Sequence, residues 1–169
     1  MMGTMEKLTL KIKKLDNFVS MPEYKTTGAS AMDLVAAIDE DIIIHSGEIK
    51  MIPTGIAIEL PHNTEAQVRS RSGLAIKSGI AVVNGIGTID EDYRGEICVG
   101  LINHSKVDFK ISRGDRIAQM AIMEVLKPTI VVADDLSDTA RAAGGFGVRS
   151  ALRKSPLLPV IVRGPQLRR

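Results

Sequence analysis

Residues 84–96 read Asn84-Gly85-Ile86-Gly87-Thr88-Ile89-Asp90-Glu91-Asp92-Tyr93-Arg94-Gly95-Glu96. An Asn-Gly turn opens the segment, and Gly85 and Gly87 allow the backbone to approach a ligand closely. Asp90 follows the apolar Ile89, which predicts a strand that ends at a candidate proton acceptor. A positioned carboxylate of this kind accelerates hydrolysis by about 10²–10⁴-fold. The alternatives are glycines and an aspartate that only shape and cap the turn.

Tyr93 follows in the same segment and is one of few rings in a chain with 2 Tyr, 3 Phe and no Trp. Packing partners are scarce in a charged turn, so this ring is a candidate to lie flat against a sugar. An ordinary cross-strand aromatic is the alternative.

A segment upstream offers groups that hold phosphate. Arg71-Ser72-Gly73 provides a guanidinium, a hydroxyl and N–H groups at the start of a short helix predicted near residues 73–77, with Ser72 as its N-cap. Gln119 places an amide on a later strand. Asp33 lies between apolar neighbours, where a carboxylate needs an ion pair or a place near a metal site. Together with residues 84–96, these groups indicate that a nucleotide is bound and hydrolysed, although a plain N-cap and surface polar residues are the alternative.

Alternation of apolar and polar residues dominates the chain, as in Ile56, Ile58 and Leu60. Apolar runs at residues 42–44 and 117–126 predict strands covered on both faces. Turn signals recur about every ten residues, so we predict an all-β sandwich, jelly roll or barrel. Cys98 lies in the middle of a strand and is expected to be a small core residue.

Composition predicts one globular domain in a reducing compartment, since the chain has 169 residues, 44% of them hydrophobic, and one cysteine. No apolar run reaches the ~18 residues that span a membrane, and the N-terminus lacks the apolar core of a secretory signal. We therefore expect a cytoplasmic location and no membrane partner. Residues 148–169 hold six basic residues and no acid, which leaves residues 1–147 with an excess of acids. No specific nucleic-acid binding is expected.

The region after residue 133 is polar and glycine-rich, and it predicts an arm. Phe146 lies among three glycines after Arg141, so its ring has the freedom to fold over a base, where stacking contributes ~1–3 kcal/mol. We place the domain at residues 1–147, with a closing arm at about 133–147, and a flexible basic extension at 148–169.

Five segments together resemble the trimeric dUTP pyrophosphatases (dUTPases). They are Ala31-Met32-Asp33-Leu34, Arg71-Ser72-Gly73-Leu74-Ala75, Gly87-Thr88-Ile89-Asp90-Glu91-Asp92-Tyr93-Arg94-Gly95-Glu96, Arg116-Ile117-Ala118-Gln119 and Arg141-Ala142-Ala143-Gly144-Gly145-Phe146-Gly147.

The resemblance implies a jelly-roll subunit, a distorted barrel of the β-clip type, in a homotrimer whose active sites lie between subunits. It implies Mg²⁺-dependent hydrolysis of dUTP to dUMP and pyrophosphate, which limits uracil incorporation into DNA and supplies dUMP for thymidylate synthesis. Asp90 would orient and activate the attacking water, and Asp33 would support the water shell of the metal.

The resemblance also implies the contacts to substrate. A hairpin over residues 84–98 would read uracil mostly through main-chain groups, Tyr93 would pack under the deoxyribose, and the arm would arrive from a neighbouring subunit. The implied substrate-binding residues are Arg71, Ser72, Gly73, Asn84, Gly87, Thr88, Ile89, Tyr93, Cys98, Gln119, Arg141 and Phe146.

Two positions depart from the family pattern, and two other functions stay open. Ser30-Ala31 replaces the usual Ala-Gly, and Val148-Arg149-Ser150 replaces the usual Ser-Thr-Gly after the arm. A dCTP deaminase, which shares the fold, is the enzymatic alternative. A jelly-roll trimer that acts as a binding scaffold, with the basic tail on nucleic acid or another protein, is the other.

Overall fold

The alternating segments form antiparallel sheets in the computed structural model, which describes residues 8–139. Over those residues the elements are β1 (Lys11–Lys14), β2 (Met32–Val35), β3 (Ile42–Ile44), β4 (Ile49–Glu59), β5 (Thr64–Arg69), α1 (Ser72–Ser78), β6 (Ile80–Val82), β7 (Ile86–Ile89), β8 (Glu96–Asn103), β9 (Phe109–Ile111) and β10 (Arg116–Glu124). With one helix of 7 residues among strands, the all-β prediction is confirmed.

Two four-stranded sheets carry the fold, in the orders β1-β4-β8-β6 and β2-β10-β5-β7, beside a two-stranded sheet of β3 and β9. Residues that alternate toward the inside of both large sheets meet in one apolar cluster, for example Leu34, Ile52, Val68, Ile97 and Met120, each at most 3% exposed. Burial of such side chains supplies the main driving force for folding. The cluster fixes the two sheets against each other and so fixes the residues at their ends.

A bulge in β4 positions the start of β8. Gly55 has a φ of 70°, and the register of β4 against β8 shifts between Pro53 and Ala57. A Cβ on Gly55 would lie 2.8 Å from Cα of Phe18, so only glycine fits there. The N–H of Gly55 donates to Oε1 of Glu96 at 2.8 Å, which ties the first residue of β8 to the bulge.

The predicted helix is present, but Ser72 does not cap it. Helix α1 begins at Ser72 itself, and the N-cap is Arg71, with extended backbone angles of −81° and 123° and no side-chain capping bond. The prediction was wrong because the chain enters the helix one residue earlier than the Ser signal indicated. The Ser72 hydroxyl is therefore not used by the helix.

The two apolar runs are covered less completely than predicted. Ile43 in β3 is 40% exposed, because β3 and β9 form a two-stranded sheet with an open face. The second run is buried at Ile117, Ala118, Met120 and Ala121, with Gln119 half-buried, but it is exposed at Met123 and Leu126, beyond the point where β10 is covered.

The chain divides into two units, residues 1–128 and 129–169. In the second unit the structure describes residues 129–139, and these contain no helix or strand. Across the described part of the chain, no helix has the length and apolarity needed to cross a membrane.

Candidate active site

Residues 84–98 cross from one sheet to the other and do not form the predicted hairpin. β7 pairs with β5, whereas β8 pairs with β4 and β6, so over residues 8–139 these two strands lie in different sheets. The prediction was wrong because alternation determines which face of a strand is buried but not which strand pairs with it.

The space between β7 and β8 is a cavity of about 230 Å³. Pockets that enclose a whole small-molecule ligand are typically larger, at about 300–1,000 Å³, so this cavity suits one planar ring with the rest of a ligand outside. Five residues predicted to bind substrate share its lining, namely Asn84, Gly87, Thr88, Ile89 and Cys98. The structure therefore brings these five together.

Cys98 faces this cavity and is not the core residue predicted from its strand. Its side chain is exposed, and its strand partner across β4 is Pro53. Partial burial, followed by the charge of Glu96, raises the pKa of the thiol above its ordinary value of 9.0. The thiol is therefore neutral at physiological pH and is not an activated nucleophile.

Asp90 follows the last residue of β7 and carries a free carboxylate. Among residues 8–139, no side chain or backbone N–H bonds to it, while its carbonyl accepts the N–H of Tyr93 at 3.1 Å. The carboxylate borders a second cavity of about 360 Å³ that Glu65, Glu91 and Asp92 also line. His62 and Lys127 line it as well, but the four carboxylates outnumber them, so this second cavity disfavours a triphosphate.

Tyr93 lies in the loop between β7 and β8, which excludes the cross-strand alternative. Its side chain is 44% exposed, and its hydroxyl donates to the Glu96 carbonyl at 3.0 Å. Gly95 lies directly against the ring, since a Cβ there would contact the hydroxyl and come within 2.6 Å of Cζ. The aromatic face is thus held in place and open to a ligand.

Asp33 pairs with two arginines at the end of the β2-β10-β5-β7 sheet that lies opposite Asp90. Nε of Arg71 lies 2.9 Å from Oδ1 of Asp33, and Nη1 of Arg116 lies 3.3 Å from Oδ2. Nη1 of Arg71 also donates to the Arg116 carbonyl at 2.9 Å. The ion-pair reading of Asp33 is confirmed. Arg116 belongs to a predicted motif, but a pattern in sequence could not show its contact with Asp33.

Ser72, Gly73 and Gln119 lie at this same end of the sheet. Ser72 and Gly73 are exposed in the first turn of α1, directly after Arg71. Gln119 pairs across β10 with Asp33 and Arg69, and its Nε2 donates to the Ser70 carbonyl at 2.9 Å. Two guanidinium groups, a hydroxyl and an amide therefore lie at this end of the sheet, and such groups are typical partners of an anion.

Asp90 and the arginine end of the sheet are separated within one chain. Arg69 pairs with Ile86 at one end of β5, and Ala66 pairs with Ile89 at the other, which places Asp90 opposite Glu65. The four steps of extended strand from Glu65 to Arg69 cover roughly 13 Å, and Arg71 lies two residues further on. The predicted catalytic and phosphate-binding residues therefore do not meet in a single subunit.

The described side chains suit a metal ion that is held mainly by a bound small molecule and by water, with little direct contact to the protein. Over residues 8–139, no group of three or more His, Cys, Asp or Glu side chains could bind a metal ion. Asp33 is already paired with two arginines, so contact through water is the mode it can offer. Mg²⁺ commonly keeps several waters and binds through substrate phosphates. Arg141 and Phe146, the predicted arm residues, lie outside the described residues.

Comparison with known proteins gives one consistent family. A family model described as dUTPase matches residues 17–149. The deoxyuridine 5'-triphosphate nucleotidohydrolase of Thermoanaerobacter sp. is 55% identical over 142 residues, which cover 83% of this chain and 96% of that protein. The protein of the same name from Rickettsia felis is 55% identical over 139 residues, covering 82% of this chain and 94% of that protein.

Several dUTPases of phages are among the solved structures that share this fold. A mutant dUTPase from phage phi11 of S. aureus, described with a structural Mg(II) ion, has a TM-score of 0.70 at 21% identity and covers 77% of this chain and 99% of its own. A mutant dUTPase of Staphylococcus bacteriophage 80alpha, solved with dUpNHpp, has a TM-score of 0.73 at 24% identity and covers 82% and 96%. At these identities the likeness shows the fold.

Proposed function

The chain belongs to the dUTPase family, and on that premise we propose how its residues carry out the reaction. It is a dUTP diphosphatase that hydrolyses dUTP to dUMP and pyrophosphate. Membership in this family sets aside the dCTP deaminase and the binding scaffold that the sequence alone left open. The residue roles that follow are the proposal.

The observation that carries the proposal is the free Asp90 carboxylate, one residue beyond a ring-sized cavity. With uracil between β7 and β8, read by main-chain groups of Asn84, Gly87, Thr88, Ile89 and Cys98, the phosphates extend past Asp90. In this proposal the main-chain groups that hydrogen-bond uracil leave the amino group of cytosine without its partner, and close packing around C5 of the ring excludes the methyl group of thymine. Tyr93 presents its open face to the deoxyribose, where a 2′-hydroxyl would collide with the ring.

Asp90 orients a water molecule for attack on the α-phosphorus. The water oxygen forms a bond to that phosphorus, and the bond to the oxygen bridging the α- and β-phosphorus breaks. Pyrophosphate leaves with the electron pair, and the proton of the water passes to the carboxylate. Most of the rate enhancement in phosphoryl transfer comes from positioning and electrostatics, so the alignment of the water is the main contribution of Asp90.

The phosphates bind at the arginine end of the sheet. Arg71 supplies charge, Ser72 and Gly73 supply exposed hydroxyl and N–H donors, and Gln119 supplies an amide. Asp33 holds Arg71 at 2.9 Å and supports the water shell of Mg²⁺. When bound with the triphosphate, Mg²⁺ neutralises part of its negative charge.

In a homotrimer, the two separated halves of the site can come together from different subunits. Asp90 and Arg71 lie at opposite ends of β5 in one chain, so a complete site needs residues from two subunits. Large apolar side chains near the cavity are exposed in the single chain, among them Ile49 at 51%, Met51 at 62% and Ile86 at 52%. Exposed apolar surface of this kind is typical of subunit interfaces.

The closing arm and the extension complete the proposal. Arg141 and Phe146 close the site from a neighbouring subunit, and the domain runs to residue 147, close to the end of the family match at residue 149. Residues 148–169 form a basic extension outside the domain. The single cysteine, an exposed thiol, supports a cytoplasmic location, since such thiols persist in reducing compartments.

Replacing Asp90 by Asn tests the catalytic role. We expect Asp90→Asn to lower kcat for pyrophosphate release from dUTP by at least ~10²-fold with little change in KM, because the amide cannot accept the proton of the water. Asp92→Asn, an exposed acid two residues away, is the matched control and should stay near wild type. Assays with dCTP, dTTP and UTP check selectivity. Turnover of Asp90→Asn within a few-fold of wild type would remove Asp90 from the mechanism.

A further inference from the structure

Glu91 follows Asp90, and its carboxylate is held on both oxygens. Nδ1 of His62 lies 2.8 Å from Oε1, and the backbone N–H of Asn63 donates to Oε2 at 2.9 Å. Nζ of Lys127 lies 3.7 Å from the same Oε2. The hydrogen bond from His62, followed by that from Asn63, holds the pKa of Glu91 below its ordinary value of 4.5. The carboxylate is therefore ionised at neutral pH and attracts all of its partners.

The partners of Glu91 belong to a rigid part of the fold. Asn63 forms the tight turn between β4 and β5 with a φ of 58°, which is unusual for a residue other than glycine. Its carbonyl accepts the N–H of Val125 at 2.9 Å, which joins the turn to the segment that follows β10. Glu91 is thus fixed to a junction of three strands.

Residues 90–95, here called the Asp90 loop, have few other attachments. Tyr93 bonds to the Asp90 and Glu96 carbonyls, and Nη1 of Arg94 donates to the carbonyls of Glu91 and Tyr93 at 2.7 and 3.0 Å. These bonds shape the loop but stay inside it or at its edge. Within residues 8–139, Glu91 provides the hydrogen bonds and ion pairs by which loop side chains reach another part of the chain.

We propose that Glu91 is a positioning residue for the reaction, which locks the Asp90 loop onto the β4–β5 turn and so aims the Asp90 carboxylate. The inference rests on the proposed role of Asp90. In-line attack is sensitive to geometry, and a misplacement of about 1 Å can cost ~10²-fold in rate. The neighbouring carboxylates of Glu65, Asp90 and Asp92 repel one another, so a loop without this attachment would move away from its position.

Two substitutions at Glu91 separate positioning from charge. Glu91→Ala removes both bonds, and we expect kcat for dUTP to fall about 10-fold while KM changes less than about 2-fold. Glu91→Gln keeps an oxygen for the Asn63 N–H and places an amide group beside Nδ1 of His62. It should therefore recover most of the lost kcat.

Glu48→Ala is the matched control. Glu48 also accepts a backbone N–H at 2.9 Å, from His45, and also pairs with a basic side chain, Lys50 at 2.6 Å. The exposed fractions of the two glutamate side chains are similar, 30% for Glu48 and 28% for Glu91. Glu48 borders neither of the two cavities. The two alanine variants should lose comparable thermal stability, but only Glu91→Ala should lose kcat.

A double-variant cycle makes the test specific to Asp90. Because Glu91 acts through Asp90, adding Glu91→Ala to Asp90→Asn should lower the residual kcat no further. Wild-type kcat in Glu91→Ala, an equal loss in Glu48→Ala, or a further full loss in the double variant would each overturn the inference. If Asp90→Asn itself remains active, the proposed function fails independently of Glu91. If Asp90→Asn is inactive and Glu91→Ala is normal, only the positioning role fails.

Discussion

Gly95 illustrates how a single missing methyl group shapes the site. The Tyr93 ring occupies the space where a Cβ of Gly95 would be, and the Tyr93 hydroxyl then reaches the Glu96 carbonyl at 3.0 Å. Glu96 is in turn fixed by Asn17 at 3.1 Å and by the Gly55 N–H at 2.8 Å. The orientation of the ring is therefore determined by glycine at position 95 and by the β4 bulge, and not by packing in the core.

Gly95→Ala should displace Tyr93 and weaken sugar discrimination. The added methyl group would overlap the ring, so the ring must rotate away from the position proposed for contact with the deoxyribose. We expect kcat/KM for dUTP to fall about 10-fold and the preference for dUTP over UTP to shrink, because a pocket rejects a group only where it is sterically filled.

Steady-state rates with dUTP and UTP measure this effect. Gly28→Ala is the control, since a Cβ there meets no atom within 4 Å. An unchanged ratio of the two kcat/KM values in Gly95→Ala would contradict the role of Tyr93 at the sugar.

At the level of elements, a buried amide joins three segments around the end of β8. Asn103 is fully buried, and its Nδ2 donates to the carbonyls of Ile44 and Val107 at 2.9 and 2.8 Å. Its Oδ1 accepts the N–H and the hydroxyl of Ser105 at 2.9 and 2.8 Å. All of its hydrogen-bonding capacity is satisfied, so this residue clamps β3 and the β8–β9 turn together.

Asn103→Leu should destabilise the protein without altering the chemistry. The substitution removes the amide partner of the buried Ile44 carbonyl and of the part-buried Ser105 N–H, while the Val107 carbonyl keeps its bond from the Ser105 hydroxyl, and each unsatisfied buried group costs ~1–3 kcal/mol. We expect a loss of about 2–4 kcal/mol in the free energy of unfolding, with kcat nearly unchanged well below the unfolding temperature.

Urea unfolding at a fixed protein concentration gives the loss in stability. The exposed neighbour His104 serves as the control, and His104→Ala should shift the midpoint very little. A small shift for Asn103→Leu would show that water replaces the lost bonds.

The sequence predicted the strands well but not how they pair. Alternation at Ile56, Ile58 and Leu60 identifies a buried face, because side-chain direction has a period of two in any strand. Pairing depends on contacts distant in the chain. For that reason the hairpin expected over residues 84–98 does not form, although the two strands follow each other in sequence. Cys98 was misplaced for the same reason, since the cavity that it faces exists only because β7 and β8 join different sheets.

The candidate site was predicted as a set of residue types, and the structure divides it in two. The glycines, Asp90 and Tyr93 form one half, and Arg71, Asp33 and Gln119 form the other. Glu91 was not predicted, because a glutamate in a charged turn gives no signal of the partners at His62 and Asn63. The distance between the two halves follows from the register of β5 with β7, which no local pattern encodes.

At the scale of the whole molecule, the proposed sharing of the site between subunits would make activity a property of the assembly. If Asp90 of one subunit serves the phosphates bound by Arg71 of another, two inactive variants can complement each other. Asp90→Asn lacks one half-site, and Arg71→Ala lacks the other. Mixed trimers then contain some sites with both native residues.

Unfolding and refolding the two variants together in equal amounts should restore about one quarter of wild-type kcat, because each site between subunits draws its two halves independently. The variants refolded separately and then mixed are the control and should stay inactive, as long as subunits do not exchange. Ser72→Ala can replace Arg71→Ala if loss of the Asp33 ion pair at 2.9 Å prevents folding. If the site is built within one chain, no activity should be recovered at any mixing ratio. Recovery that rises and falls with the ratio of the variants, highest at equal amounts, is the signature of a site shared between subunits.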